Sequence, residues 1–323
     1  MSELLIYTQG DRQHGMGHVV RCLTLAEALE TFGVRSAFIT SYDTPGSVRI
    51  RQADYAMFDN IAEAGAPPFA SILVDLEGGP TREFLEQVRP LFRQVIVVGG
   101  VGYGLSNGSV EPGLVDLQIY QTVLPVVPNG VSSLQGADWL IVNPKYAACQ
   151  PDYERGHVVV TMGGGDPHEL TGRAIGKLGN IGRPVKAVVG PASEGVLFDF
   201  IPPANAGLLP PLEWLGPAFQ GASLTVCALG MTAYESLAAG VPVMLTNWTP
   251  DHERTAQELK RLGCGWNLGM WQDFEKVDLA EGARAALADV DDLRKMGMRG
   301  RKLVDGQGAG RVAGRIRELL NGA

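Results

Sequence analysis

His18 follows two closely spaced glycines and precedes a cationic side chain, in the run Gly15-Met16-Gly17-His18-Val19-Val20-Arg21-Cys22. An imidazole is the side chain best suited to take a proton from water or a hydroxyl near neutral pH. Gly15 and Gly17 let the backbone turn tightly and come close to a ligand. From Val19 the apolar residues Val19, Cys22, Leu23, Leu25, Ala26 and Leu29 recur at helical spacing, so His18 falls in the first turn of a helix. The positive end of a helix dipole disfavours an imidazolium there and favours a ring able to accept a proton. The plainer alternative is that His18 only opens the helix. A Gly-x-Gly pair without a third glycine is not a dinucleotide fingerprint.

Two more glycine junctions lie in the second half. Gly163-Gly164-Gly165-Asp166 separates an apolar run from a helical one. Such a turn offers backbone N–H groups and a helix dipole to a phosphate, or is a tight turn with Asp166 as cap. Gly230-Met231-Thr232 opens another helix, with Glu235 about one turn in. A carboxylate there can accept hydrogen bonds from a ribose diol, or simply carry a favourable charge in a first helical turn. Asp251-His252-Glu253-Arg254 opens a third helix and can hold sugar hydroxyls or form a solvated helix start. Asp75 and Glu77 end a strand and are candidates for sugar contact or a second acid/base group. His14, His157 and His168 have no evident partner in sequence and read as surface or loop residues.

The elements that must position these residues alternate. Strands are expected at Leu4–Thr8, Arg35–Thr40, Ala70–Leu76, Gln94–Val98 (followed by Gly99-Gly100) and Val115–Tyr120, with helices after Gly17 and over Thr81–Leu91. The stretch from Asp43 to Ala66 is loop-rich. Prolines 125, 128, 144 and 151 then loosen the pattern, which puts a domain boundary between residues 152 and 153. A second series follows. Strands are expected at His157–Met162, Pro184–Val189, Leu224–Ala228, Val241–Leu245 and Gly265–Leu268; helices at Glu169–Leu178, Leu212–Phe219, Ala233–Ala239 and Asp251–Leu262; and three helices in Val277–Leu320. The expectation is two Rossmann-like, parallel-sheet α/β domains, residues 1–152 and 153–323, with a cleft between them. A chain of 323 residues exceeds what one hydrophobic core usually serves, in agreement with two domains.

The formal net charge of −8 argues against a nucleic-acid-binding surface. Cys22, Cys149, Cys227 and Cys264 are far apart, without metal-ligand spacing, and read as buried thiols of a reducing compartment. No apolar run approaches a membrane span. The chain is expected to be cytoplasmic, without integral membrane association, metal or cofactor.

Taken together, the three motifs resemble a known family. GMGHVVRCLTLAEAL is similar to the start of the nucleotide-sugar hydrolases of pseudaminic acid biosynthesis, the UDP-2,4-diacetamido-2,4,6-trideoxy-β-L-altropyranose hydrolases, and of spore-coat polysaccharide proteins. TMGGGDPHELT resembles their second-domain glycine motif. ALGMTAYESLAAGVPVML resembles a stretch shared with the peptidoglycan-precursor N-acetylglucosaminyltransferase. The resemblance implies the GT-B fold and a nucleotide-diphosphate sugar, UDP-linked, as ligand. It implies His18 as the base that activates water at the anomeric carbon, with Gly15, Gly17 and Arg21 around the substrate. It implies Gly164, Gly165, Asp166, Gly230 and Thr232 near the diphosphate, Glu235 on the ribose, and Asp251, His252 and Glu253 against sugar or phosphate. The chain departs from the hydrolases at Asp75-Leu76-Glu77 (usually Asp-x-Tyr), Gly99-Gly100 (usually paired acids), Tyr146-Ala147-Ala148-Cys149-Gln150 (usually Tyr-x-Leu-Leu-Arg) and Asp251-His252-Glu253 (usually Asn-Gln). Three of these lie toward the first domain, so the resemblance bears more on the nucleotide half than on the half that receives the sugar. An inverting glycosyltransferase with the same fold, and a nucleotide-sugar binding module without turnover, are the competing expectations.

Overall fold

The computed structural model describes residues 2–65, 69–99, 110–126, 129–190, 200–210 and 212–322. The expectations at Ala66, Gly100 and Pro128 fall outside them. The chain divides into two units, residues 1–141 with 307–323, and residues 142–306.

Unit 1 contains β1 (Ser2–Thr8), α1 (Gly17–Thr31), β2 (Val34–Ile39), α2 (Pro45–Gln52), β3 (Met57–Phe58), α3 (Ile61–Ala64), β4 (Ser71–Asp75), α4 (Arg82–Val88), β5 (Gln94–Gly99), β6 (Leu117–Tyr120) and β7 (Ser133–Leu134). The strands are paired in parallel in the order β3-β2-β1-β4-β5-β6-β7. β4 and β5 are buried throughout, as strands covered by helices on both faces must be. The order reverses between β1 and β4, where Thr8 lies opposite Asp75. In open α/β sheets ligands bind at such a reversal, outside the carboxyl ends of the strands.

Unit 2 contains β8 (His157–Thr161), α5 (Leu170–Lys177), β9 (Val185–Val188), β10 (Ala206–Leu209), α6 (Gly216–Phe219), β11 (Ala222–Ala228), α7 (Met231–Ala238), β12 (Val243–Asn247), α8 (Pro250–Arg261), β13 (Gly265–Met270), α9 (Leu279–Ala288) and α10 (Val290–Leu303). Its parallel sheet runs β10-β9-β8-β11-β12-β13 and reverses between β8 and β11.

The last helix, α11 (Gly308–Asn321), departs from the expected boundary, which assigned the whole helical tail to the second domain. It belongs to unit 1, where Val312, Ala313 and Ile316 join the core formed by Val19, Leu23, Ala26 and Leu29 of α1. Gly308 passes so close to Leu140 that a Cβ would stand 2.1 Å from its carbonyl oxygen, so the return requires glycine there. Among the described residues no helix is long and apolar enough to cross a membrane. All four cysteines are free and buried.

Candidate functional site

In unit 1 the reversal of strand order brings together the end of β4 and the start of α1. Gly15 adopts φ +70° and donates its N–H to the Asp11 carbonyl at 2.8 Å, closing the turn that delivers Gly17 and His18 to α1. Upstream, Gly10 packs its backbone against Gly46, whose N–H donates to the Gly10 carbonyl at 2.8 Å; a Cβ on Gly10 would meet Val19 Cγ2 at 2.6 Å.

His18 Nδ1 lies 2.7 Å from Asp75 Oδ1. Arg21, one turn further along α1, donates from Nε to Asp75 Oδ2 at 2.8 Å and from Nη2 to Oδ1 at 2.5 Å. Cys22 donates its thiol to the same carboxylate at 3.3 Å. Asp75 is fully buried while the His18 side chain keeps 15% of its surface exposed. Burial opposes the Asp75 charge, but Arg21 and His18 outweigh it and hold the carboxyl well below the usual carboxylate range. Burial, with Asp75 alongside, pushes the Cys22 thiol far up, so it is a neutral donor.

This geometry assigns the tautomer. Nδ1 faces a carboxylate oxygen at 2.7 Å; the guanidinium nitrogen 3.1 Å away makes its shorter contact, 2.5 Å, with that same oxygen and is directed there. A lone pair on Nδ1 would oppose the lone pairs of Oδ1, so Nδ1 carries the proton and donates it. Nε2 is then the basic nitrogen, in the arrangement by which a carboxylate orients a general base and stabilises the imidazolium that forms. Arg21, expected beside the substrate, is instead committed to Asp75: a buried carboxylate needs a buried cation.

His14 is not an isolated loop residue. Its Nδ1 sits 2.8 Å from both Asp11 carboxylate oxygens, and its Nε2 lies 3.9 Å from Glu77.

In unit 2 the strand-order reversal joins the loop after β8 to the start of α7. Gly163 adopts φ +84°, and a Cβ on Gly190 would meet the Gly163 carbonyl oxygen at 2.2 Å. Asp166 is buried and accepts from the Leu170 N–H at 2.8 Å and the Thr171 N–H at 2.9 Å. It therefore caps α5. The Asp166 carboxylate thus already occupies the start of α5 and satisfies two of its N–H groups. The start of α7 differs: Gly230 has open space beside it, no side chain caps the helix and no acid lies in its first turn.

Glu235 on α7 is buried beneath Tyr146, from the turn Pro144–Ala148, whose hydroxyl is its hydrogen-bond partner. The Tyr146 oxygen also accepts from the Leu215 N–H at 3.3 Å. Burial raises Glu235 to a pKa of about 7 and the Tyr146 hydrogen bond opposes that rise, so near neutrality its charge is partly suppressed.

The α8 cluster separates into different tasks. Glu253 accepts from Asn247 Nδ2 at 2.6 Å and from Asn267 Nδ2 at 2.7 Å, tying α8 to the end of β12 and the middle of β13. Asp251 pairs with Arg254. His252 donates its backbone N–H to Thr249 Oγ1 at 3.2 Å, while its Nδ1 is buried without a partner; burial pushes its pKa down, with Asp251 opposing. His157, read from sequence as a surface or loop residue, opens β8 as a buried residue with Nε2 2.8 Å from the Ala218 carbonyl. His168, read the same way, lies on a loop but stacks on Trp271 with ring centroids 3.5 Å apart.

No protein-family profile matches the chain. The spore coat polysaccharide biosynthesis protein SpsG of Bacillus subtilis (strain 168) is similar to it, 22% identical over 342 aligned positions that take in 97% of each chain. The crystal structure of Acinetobacter baumannii MurG superposes with a TM-score of 0.65 at 15% identity, over 98% of this chain and 100% of that one. Spinosyn rhamnosyltransferase SpnG superposes with a TM-score of 0.70 at 16% identity over the whole of both chains, and a further structure of that enzyme is a complex with thymidine diphosphate. The fold is GT-B.

Within this GT-B chain, sequence reasoning singled out His18 but did not join it to Asp75. A signal was available: a carboxylate ending the apolar strand Ser-Ile-Leu-Val-Asp must be buried, and Arg21, three residues after His18, is a cation at one helical turn. Tyr146 was noted only for its departure from a motif; its contact with Glu235 joins positions 89 residues apart and leaves no local trace.

Proposed function

We propose that the chain transfers the sugar of a nucleoside-diphosphate sugar, UDP-linked, to a hydroxyl nucleophile. The observation that carries this reading is the His18–Asp75 pair, with Nε2 left basic at the strand-order reversal of unit 1. Nε2 takes the proton of the nucleophile. The freed oxygen forms a bond to the anomeric carbon as the carbon–oxygen bond to the diphosphate breaks, and the diphosphate leaves with its electron pair. Asp75 stabilises the imidazolium, and Arg21 keeps Asp75 ionised. Unit 2 binds the nucleotide: the uncapped start of α7 at Gly230 and Thr232, with Gly164 and Gly165, takes the diphosphate, and Glu235 takes the ribose diol.

Water is the first reading of the nucleophile, supported by the similarity of the His18 motif to sugar-nucleotide hydrolases. A sugar acceptor is the second, favoured by the solved neighbours being glycosyltransferases by name. The two separate in one assay. UDP released from a panel of UDP-sugars without acceptor supports hydrolysis, and release only when an acceptor is added supports transfer. No release under either condition, with nucleotide bound, overturns both in favour of a binding module.

A further inference from the structure

The strand ends of unit 2 carry an aromatic group to which this mechanism assigns no task. His168 lies face to face on Trp271, centroids 3.5 Å apart and planes 6° apart. Trp248, the residue after β12, meets the same imidazole at 5.2 Å. All three rings are half-buried. His168 belongs to the loop leaving β8, while Trp248 and Trp271 directly follow β12 and β13, and the sheet order is β8-β11-β12-β13. Neighbouring strands are about 4.8 Å apart, so loops on β8 and β12 start roughly 10 Å from each other. Their rings meet only by spanning the strand ends between them. The end of β11 lies within that span, and from it Leu229 and Gly230 lead into the uncapped start of α7.

Lysine and arginine are missing from the described loops at this edge, which do carry the acids Asp166, Glu169 and Glu213. Among the described residues that lead out of β8 to β12 (162–169, 189–190, 200–205, 210, 212–215, 229–230 and 248–249) there is no lysine or arginine. Arg173 and Arg254, in the helices that follow, pair with Glu275 and Asp251, and Lys276 pairs with Asp273. A side-chain donor adds a charge-assisted hydrogen bond to the N–H groups that a helix start offers a diphosphate. His168 is the basic side chain in these loops. His252 is the other imidazole nearby, but its Nδ1 is buried and burial disfavours its charge. A ring stacked on indole has its plane fixed, which holds its nitrogen edge in one orientation for a hydrogen bond to a ligand.

We propose that His168 is a diphosphate-binding residue, held in orientation by Trp271 and Trp248, which supplies the side-chain N–H donor that the α7 helix start lacks. This rests on the nucleotide-sugar reading above. The test is calorimetric titration of the full chain with UDP, dTDP, GDP and CDP, comparing wild type with His168→Ala, His168→Arg and His168→Phe. A charge-assisted hydrogen bond lost from a site makes His168→Ala bind the preferred diphosphate about tenfold or more weakly. Arg also stacks on indole and carries a fixed charge, so His168→Arg restores affinity, whereas His168→Phe, which keeps only the stacking, does not. Unchanged affinity in His168→Ala, or rescue by Phe, overturns the proposal and leaves the nucleotide reading intact. Wild-type protein that binds none of the four nucleotides removes both.

Discussion

Glu235→Gln gives a quantitative check on the burial of Glu235 beneath Tyr146. Glu235 is buried, and its pKa rises from an ordinary 4.5 to about 7. At pH below 4.5 the carboxyl is protonated whether the chain is folded or not, and nothing is lost. As pH rises toward 7 the unfolded chain gives up this proton while the folded protein keeps it, so folding becomes less favourable; above 7 the full cost is present. At roughly 1.4 kcal/mol per pKa unit, the interval from 4.5 to about 7 corresponds to about 3 kcal/mol. Gln is neutral at every pH and keeps an oxygen for the Tyr146 hydroxyl. The stability difference between variant and wild type should therefore shift by about 3 kcal/mol in favour of the variant between pH 4.5 and 8.5. Other titrating groups, Asp75 among them, cancel in that difference. Urea unfolding followed by tryptophan emission is the assay, because Trp214, Trp248, Trp266 and Trp271 all lie in unit 2 with Glu235. A difference flat across this range would mean that Glu235 titrates at its ordinary value in the folded protein, and the account of its burial would be wrong.

His18→Ala should abolish turnover while leaving nucleotide affinity within about twofold of wild type in calorimetry, since the base acts on the nucleophile. Asp75→Asn should lower kcat by roughly a hundredfold or more, by favouring the wrong His18 tautomer, and should cost about 3–5 kcal/mol of stability, because Arg21 is left buried without a counter-charge; near-normal kcat in a folded Asp75→Asn protein would refute the orienting role. Asp166→Ala removes the acceptor of two N–H groups at the start of α5 and should cost about 1–2 kcal/mol in thermal or urea unfolding, with little change in nucleotide affinity. Glu253→Gln should lower the unfolding midpoint of unit 2, because one of its two asparagine donors loses its charged acceptor, and a variant as stable as wild type would show that the Asn247–Asn267 link is not needed.

Much of the fold was legible because parallel sheets write themselves as apolar runs. Val158 to Val160, Ile72 to Val74 and Val95 to Val98 are fully or almost fully buried, and each stands alone between polar or glycine-rich turns. What escaped has a physical reason. Helix α2 has a Thr44–Ser47 capping box, but its single apolar turn around Ile50 carries no lasting period, and β3 is two residues long. Strand β10 exposes Gly207 and Leu208, so it lacks the continuous apolar run by which its neighbours are known. The apolar stripe of α11 announces a packed helix but not which sheet it covers; that is decided by a chain return through Gly308, which no local pattern encodes.

The site divides along the same line. Glycine junctions are local, and all three marked real strand-to-helix corners, at Gly15, Gly163 and Gly230. Which anion each corner serves is not local. Asp166 and Asp75 look alike in sequence, each an acid close to the end of an apolar strand. Asp166 satisfies two N–H groups of its own helix, whereas Asp75 meets a histidine and an arginine from across β1. The difference follows from strand order. β4 returns to the side of β1 after the chain has built β2 and β3 outward, and so its last residue faces the start of α1 rather than its own connection to α4. The same reversal in unit 2 sets β11 beside β8 and leaves the start of α7 uncapped next to the Gly163 loop. Each unit therefore has a glycine-led helix start at the point where strand order turns back, and in unit 1 the partners that meet there are more than 50 residues apart in sequence, Asp75 from His18 and Arg21. A hydrophobic pattern can count the strands on either side of such a point, but only the sheet order says which loop will face which.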